Sequence, residues 1–297
     1  MNKVAIFGQA YKNNDRQYFE ILIENLHKYG IEIVIEKEFV QILSQLGVKN
    51  MQFPTFSKHE DLHDNIDMMF TLGGDGTILN AITLVRDLNI PILGINTGRL
   101  GFLATVQKSA IENAILSLQK KEFTIQERAL LEIHTNDHKN PFGQFNYALN
   151  EVTIARKNST SMIGIESYLN NESLTTYWAD GLVIATPTGS TGYSLSCNGP
   201  IIMPESNNFV ITPIAPHNLS ARPLVIPDKT NIRLKIIGRE KEFFLSLDSR
   251  VSSVAFETEI TLRKAPFQIQ IIQLNQQTFI KTLRSKLFWG EDKRNYK

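Results

Sequence analysis

An apolar run at residues 68–72 stops at Gly73-Gly74-Asp75-Gly76-Thr77, and a helical pattern takes over at residues 77–88. Three glycines and one carboxylate therefore sit at the turn between a strand and a helix. That turn suits a phosphate, because glycines let the backbone approach closely and a helix N-terminus presents unpaired N–H groups and a positive dipole end. Asp75 is the one ionisable side chain there. An acid beside a phosphate is unwelcome unless it holds a metal or takes a proton, so the segment suggests phosphoryl transfer. Asp75 is then base or metal partner, with Gly73, Gly74 and Thr77 as the phosphate loop. The turn is not a Walker A loop, since no Gly-Lys-Ser/Thr follows, and it is not the dehydrogenase fingerprint, since Gly8 has no partners near the first strand. By itself it fits a lipid kinase, a sugar-phosphate kinase or a nucleotide kinase.

The residues before about 126 alternate in period. Residues 4–7, 31–35, 67–72 and 91–95 read as strands, and 17–29, 39–46 and 109–121 as helices with apolar residues on one side. Such alternation implies parallel strands joined by right-handed helical crossovers, with ligands at the carboxyl ends of the strands. The glycine turn and the turn at Gly94-Ile95-Asn96-Thr97-Gly98 are both at such ends.

After Glu127 the texture changes to short strand-like runs at 130–134, 147–155, 163–169, 182–185, 209–214, 232–237, 242–247, 258–262 and 267–274. Asn170-Asn171 and Ile237-Gly238 mark hairpin-like reversals. Residues 278–288 are helical again. The expected fold is an α/β domain with a parallel sheet (1–126 and 277–297) and an all-β domain (127–276), the last helix returning to the first domain and the site in the cleft between the two.

Composition narrows the class. A chain of 297 residues, 42% apolar and 21% charged, reads as soluble and globular, with no run near the ~20 apolar residues of a membrane span. No secretory signal is expected, because the N-terminus enters a strand-like run at once. Cys197 is the only cysteine, which fits a reducing cytoplasm, and no Cys/His cluster has zinc spacing. The balance of 31 basic to 30 acidic residues speaks against a nucleic-acid partner. The late basic residues Lys281, Arg284, Lys286, Lys293, Arg294 and Lys297 read as a solvated face and tail.

Three further segments are candidates. Asn150-Glu151 interrupts an apolar run read as one strand, which would bury one of the pair at a cost of roughly 2–7 kcal/mol unless partnered. Thr186-Pro187-Thr188-Gly189-Ser190-Thr191-Gly192-Tyr193-Ser194-Leu195-Ser196 holds seven hydroxyls in eleven residues, neutral donors suited to ribose, amide or phosphate. Residues 216–223 carry His217 and Arg222, the arginine open to a carboxylate of the site or of the surface. Cys197 reads as a small hydrophobe, Trp289 as an anchor of the last helix, and Trp178 as packing or ligand contact.

Gly-Gly-Asp-Gly-Thr, Asn-Glu, Asp180-Gly181 with the hydroxyl block, and Pro216-His217-Asn218-Leu219-Ser220-Ala221-Arg222-Pro223, in this order, resemble bacterial NAD kinase. The likeness runs on through Asn96-Thr97-Gly98-Arg99-Leu100-Gly101-Phe102 and Leu247-Asp248-Ser249-Arg250. It implies a cytoplasmic homodimer or homotetramer that uses ATP and a divalent metal, Mg²⁺, to phosphorylate the 2′-hydroxyl of the adenosine ribose of NAD, bound between the domains. It implies Asp75 as the catalytic acid. It implies dinucleotide contacts at Asp75, Gly76, Asn150, Glu151, Asp180, Thr191, Gly192, Tyr193, Ser194, Leu195 and Ser196, and further contacts at Ser161, Trp178 and Arg250. The metal ligands are not identified. Gly192 stands where Ala is common, Ala179 where Gly is, Arg250 where Gln is, and Asn80 where some members have a basic residue. A lipid kinase sharing the turn is the nearest rival, although the chain shows no basic amphipathic surface helix. A non-catalytic dinucleotide sensor is the other, although a sensor gains nothing from an acid facing phosphate.

Overall fold

The computed structural model describes residues 1–9, 16–48, 52–63, 65–136, 140–158, 162–239, 241–275 and 277–288. It divides into two units, Met1–Glu127 with Ile269–Lys297, and Arg128–Gln268.

The first unit runs β1 (Lys3–Gly8), α1 (Arg16–Lys28), β2 (Glu32–Glu36), α2 (Lys37–Gln45), β3 (Thr55–Phe56), β4 (Met68–Gly73), α3 (Asp75–Val85), β5 (Ile92–Asn96), β6 (Val106–Gln107) and α4 (Ile111–Gln119). Phe19, Leu22 and Leu26 of α1 recur at helical spacing and are buried. Glu36 starts α2 by accepting the N–H groups of Glu38 and Phe39 at 2.9 and 2.7 Å. The strands lie in the order β5-β4-β1-β2-β3, every pair parallel. β2 and β4 flank β1, so the order reverses between β1 and β4, where Gly8 pairs with Leu72. Crevices for ligands open beyond the strand ends at such a reversal, and the glycine turn leaves β4 at this point.

The second unit is built of β7 (Phe123–Thr135), which enters it from the first, then β8 (Tyr147–Ala148), β9 (Glu151–Arg156), β10 (Ile163–Leu169), β11 (Glu172–Ala179), β12 (Gly181–Ala185), α5 (Tyr193–Ser196), β13 (Asn208–Ile214), β14 (Leu224–Pro227), β15 (Ile232–Ile237), β16 (Glu242–Leu247), β17 (Arg250–Ala255) and the start of β18 (Ile260–Leu274). One antiparallel sheet has the order β14-β13-β12-β9-β16-β17, and a second runs β11-β10-β15-β18. Ile154, Ile184, Phe209 and Phe243 of the first share a core with Ile165, Leu234 and Ile260 of the second. β12 is buried along its whole length. Leu182 and Ile184 enter that core, while Val183 and Ala185 pack with Ile202 and Val210 on the other face. The chain after β12 folds back over β12, which explains its unbroken apolar run.

Three expectations need correction. The run at 147–155 is not one strand: β8 pairs with β7, and β9 pairs with β12 and β16, so the chain changes partners at Leu149-Asn150. Apolar pattern cannot register that change, because both pieces are buried. Ile237-Gly238 is not a hairpin, since β15 pairs with β10 and β18 while β16 pairs with β9 and β17. The reversal at Asn170-Asn171 is a hairpin, both residues having positive φ (50° and 70°) between paired β10 and β11. The third correction is at 188–196, where a 3₁₀ turn and α5 stand in a stretch expected to lack helix.

After β18 the chain is again in the first unit. Thr278 caps α6 (Phe279–Leu287) through the N–H of Lys281. Gln277 donates to the Thr105 carbonyl at 2.7 Å, and the Phe279 ring lies 6.0 Å from that of Phe102. Among the described residues no helix is long and apolar enough to cross a membrane. Trp289 and the basic residues Lys293, Arg294 and Lys297 lie outside the described residues.

Ile184 is fully buried in the strand that both cores of the second unit share. Ile184→Ala is expected to destabilise the protein by about 2–5 kcal/mol, read as a lower urea midpoint at unchanged slope.

Candidate active site

β4 ends at buried Gly73, and Gly74 then stands at the N-cap of α3. Gly74 and Gly76 are exposed and Thr77 is buried, so the backbone of the turn is open to a ligand while the helix is anchored behind it. Asp75 turns its carboxylate toward the loop after β5. The N–H of Phe102 donates to Oδ2 at 2.8 Å, and those of Leu103 and Ala104 donate to Oδ1 at 3.0 and 2.9 Å. A carboxylate has about four lone-pair sites. Oδ1 has both of its sites filled, and Oδ2 keeps one.

The loop that makes these bonds is itself held from several sides. Buried Asn96 accepts the N–H of Gly98 at 2.7 Å and donates to the Arg99 carbonyl at 2.7 Å. Gly101 donates to the Ala104 carbonyl at 3.1 Å, and a Cβ built on Gly101 would overlap the Asp75 carboxylate. Only glycine leaves room for that approach. Lys286 of α6 lies 4.9 Å over the Phe102 ring. Asn80 donates to the Gln9 side chain at 2.6 Å, so it is bound within the protein.

In the second unit the structure brings Asn150 and Glu151 against the hydroxyl block. Thr186 donates from its backbone to the Asn150 carbonyl at 2.9 Å, and a Cβ on Gly189 would overlap the Asn150 backbone. Glu151 accepts the Tyr193 N–H, and its Oε2 is buried with no hydrogen-bond partner. Burial first, and the neighbouring Asp248 charge second, push the Glu151 carboxyl up to about 7. Asp180 is paired with Arg156 at 3.0 Å.

The hydroxyl block is largely occupied with its own fold. Thr186 Oγ1 donates to the Leu149 carbonyl at 2.6 Å, Ser190 Oγ to the Pro187 carbonyl at 2.7 Å and Thr191 Oγ1 to the Thr188 carbonyl at 3.2 Å. Ser194 is wholly buried with its hydroxyl 2.9 Å from that of Thr212. Read as seven ligand donors, the block is corrected here: several are consumed internally, and Ser194 supports the turn. Thr191, Gly192 and Leu195 are partly exposed, and Tyr193 and Ser196 are exposed. Burial raises the Tyr193 hydroxyl and the Cys197 thiol, so neither is an activated nucleophile.

Arg222 donates to the carbonyls of Leu219 and Ala221 at 2.7 and 2.8 Å, so it shapes its own loop, and among the described residues it pairs with no acid. Exposed Trp178 lines a cavity of about 310 Å³ with Asn218, Ser220 and Arg222. Arg250 donates to the carbonyls of Phe145, at 2.5 Å, and Tyr147, and lies 5.0 Å over the Phe145 ring. Its donors face backbone, and burial lowers its pKa. Ser161 lies outside the described residues. Asn96, Gly101, Arg156 and Asp248 had no assigned role in the sequence. Only the motifs that contain Asn96, Gly101 and Asp248 marked those three at all.

Comparison with known proteins agrees over the whole chain. The ATP-NAD kinase N-terminal domain matches residues 4–123, and the ATP-NAD kinase C-terminal domain matches residues 149–274. The chain is 53% identical to the NAD kinase of Flavobacterium psychrophilum over 99% of its own length and 100% of the relative's. It is 50% identical to that of Christiangramia forsetii, with the same coverage. Among solved structures, yeast NADH kinase complexed with NADH superposes with a TM-score of 0.84 at 26% identity, covering 100% of this chain and 90% of the other. An NAD kinase from Archaeoglobus fulgidus in complex with ATP shares the fold, with a TM-score of 0.72 at 24% identity over 96% and 97% of the two chains. The chain belongs to the ATP-NAD kinase family.

Proposed function

We propose that the protein transfers the γ-phosphoryl group of ATP to the 2′-hydroxyl of the adenosine ribose of NAD, giving NADP and ADP. The observation that carries this reading is the Asp75 carboxylate, held by three N–H groups beside a glycine turn that opens a helix N-terminus.

The 2′-oxygen attacks the γ-phosphorus in line with the departing β,γ-bridging oxygen. The O2′–P bond forms, the bridging P–O bond breaks, and ADP leaves with that electron pair. The hydroxyl proton goes to Asp75. Oδ2 is the atom with a lone pair to spare, so it is the base. A positioned carboxylate contributes roughly 10²–10⁴-fold. The N–H clasp fixes the carboxylate before substrate arrives, so its orientation costs nothing during the reaction. The exposed backbone of Gly74 and Gly76, with Gly73 and Thr77 behind it, receives phosphate oxygens at the start of α3.

No covalent enzyme intermediate is required. Among the described residues no three His, Cys, Asp or Glu side chains are grouped to hold a metal. The divalent ion, Mg²⁺, would arrive with the phosphates of ATP, held by them with one or two protein carboxylates.

Asn150, Glu151, Asp180, Thr191, Gly192, Tyr193, Leu195 and Ser196 hold the dinucleotide, Arg156 keeping Asp180 in place. Ser194 acts from behind, and Trp178 offers an exposed ring. Arg250 is assigned to the protein's own backbone rather than to a phosphate. That the yeast relative is complexed with NADH supports a dinucleotide as ligand. We also propose a cytoplasmic homo-oligomer, as for the family.

ATP and NAD supplied to the protein should yield ADP and NADP in equal amounts, NADP being read with a dehydrogenase specific for it. An NAD analogue lacking the adenosine 2′-hydroxyl should yield neither. Absence of NADP would refute the assignment, and phosphorylation of the 2′-deoxy analogue would move the acceptor atom. Asp75→Asn should lower turnover by about 10²–10⁴-fold while NAD binding by calorimetry stays within a few-fold. Near wild-type turnover in that variant would remove Asp75 from the role of base.

A further inference from the structure

Asp248 has no part in the scheme above, yet its carboxylate is closely held. It sits in the two-residue turn between β16 and β17 with φ of 52°, in the left-handed region. Its carboxylate is buried and accepts three successive N–H groups, Leu149 on Oδ2 at 2.9 Å and Asn150 and Glu151 on Oδ1 at 2.7 and 3.2 Å. Its own N–H donates to the Glu151 carbonyl at 3.0 Å. The three N–H groups belong to the point where the chain passes from β8 to β9, so no strand ladder satisfies them. A buried backbone donor left unpaired is costly, and one acid answers all three.

The two neighbouring acids are unequally served. Burial raises the Asp248 carboxyl overall, while N–H donors on both oxygens and the facing Arg250 charge act against it and favour the anion. Glu151 Oε2 receives no donor. The groups facing Glu151 are the Asp248 carboxylate from the β16–β17 turn, and the Tyr193 N–H, the Tyr193 hydroxyl and the Cys197 thiol from α5 and its end. None is a cation. Gly192 completes the wall, since a Cβ there would lie 3.0 Å from Glu151 Oε2.

We propose that Asp248 is a positioning residue for the dinucleotide: it fixes Asn150 and Glu151 through their backbone N–H groups and, by taking the negative charge itself, leaves Glu151 to carry a proton and meet its ligand as a hydrogen-bond donor. The proposal rests on the assignment of Asn150 and Glu151 to the dinucleotide site. The proton sits on Oε2, the atom that lacks a donor, and points to an acceptor oxygen of the ligand. A neutral Glu151 also spares the anionic substrates a repulsion. The carboxyl position of about 7, against an ordinary 4.5, is consistent with a proton held near neutrality.

The folded protein then holds on Glu151 a proton that the unfolded chain releases. Stability contributed by this group is fully present below about 4.5 and is lost as pH rises toward about 7. Glu151→Gln should flatten the melting temperature across that window.

The test is the Michaelis constant for NAD, at saturating ATP, between pH 6 and 8.5. In the wild type it should rise by about tenfold per pH unit once Glu151 ionises. Glu151→Gln, which has no carboxyl proton to lose, should show no such rise between pH 6 and 8.5. Asp248→Asn should move the wild-type rise down by about one pH unit or more, and adding Glu151→Gln to it should restore NAD affinity at pH 7. An Asp248→Asn profile rising at the wild-type pH would overturn the proposal, as would a double variant no better than Asp248→Asn. Should Asp248→Asn not fold, ¹³C NMR of the wild type decides, with the Glu151 carboxyl identified by its loss in Glu151→Gln; titration in the ordinary carboxylate range would be fatal. If Glu151→Ala and Asn150→Ala both leave the constant unchanged, the site assignment itself fails. If Glu151→Ala weakens NAD while the pH profiles do not respond, only the role of Asp248 fails.

Discussion

A carboxylate that gathers three backbone N–H groups is the interaction on which each half of this protein builds its site. In the α/β unit Asp75 gathers those of Phe102, Leu103 and Ala104, 27 to 29 residues further on. In the β unit Asp248 gathers those of Leu149, Asn150 and Glu151, 97 to 99 residues earlier. Loops at ligand sites leave backbone donors outside any helix or strand, and buried donors must be answered. A single acid answers three at once and thereby fixes the loop.

The two clasps serve different ends. Asp75 is half-buried, keeps one lone pair free and lies beside the exposed glycines, so it organises its loop and, in the proposed reaction, meets the substrate. Asp248 is shielded and acts through others. A buried Asn96, a glycine without room for a Cβ and the contacts of Gln277, Phe279 and Lys286 brace the first clasp. The segment after β18 thus braces the loop that holds Asp75, although it touches none of the glycine turn's own residues in the bonds described.

Much of this was legible in the residues. Apolar residues at helical spacing mark α1 and α4, which bury one face, and unbroken apolar runs mark β1, β4 and β5, which are buried on both. The glycine turn and the hydroxyl block stand out because packing alone needs neither. The break at Leu149-Asn150 is not legible, since an apolar run looks the same whether it keeps or changes its partners. β11 is not legible either, because Glu172, Ser173, Thr175 and Thr176 hide its period among polar residues on an exposed edge. The fate of the Ser and Thr hydroxyls is a matter of which carbonyls lie within reach, and Thr212, some 18 residues past Ser194, is not predictable from either residue alone. Both clasps join residues far apart in sequence, so Gly101 and Asp248 could be marked only by the motifs that contain them.

The most direct measurement is the single-turnover rate of phosphoryl transfer in Gly101→Ala, with ATP and NAD bound beforehand. A methyl group at residue 101 meets the Asp75 carboxylate. The clasp predicts a rate lower by about 10²-fold, the usual consequence of displacing a catalytic group by about 1 Å, with NAD affinity within about two-fold and a folded protein by calorimetry. A folded Gly101→Ala protein that transfers phosphate at the wild-type rate would contradict it, because the position of Asp75 would then not depend on the loop that holds it.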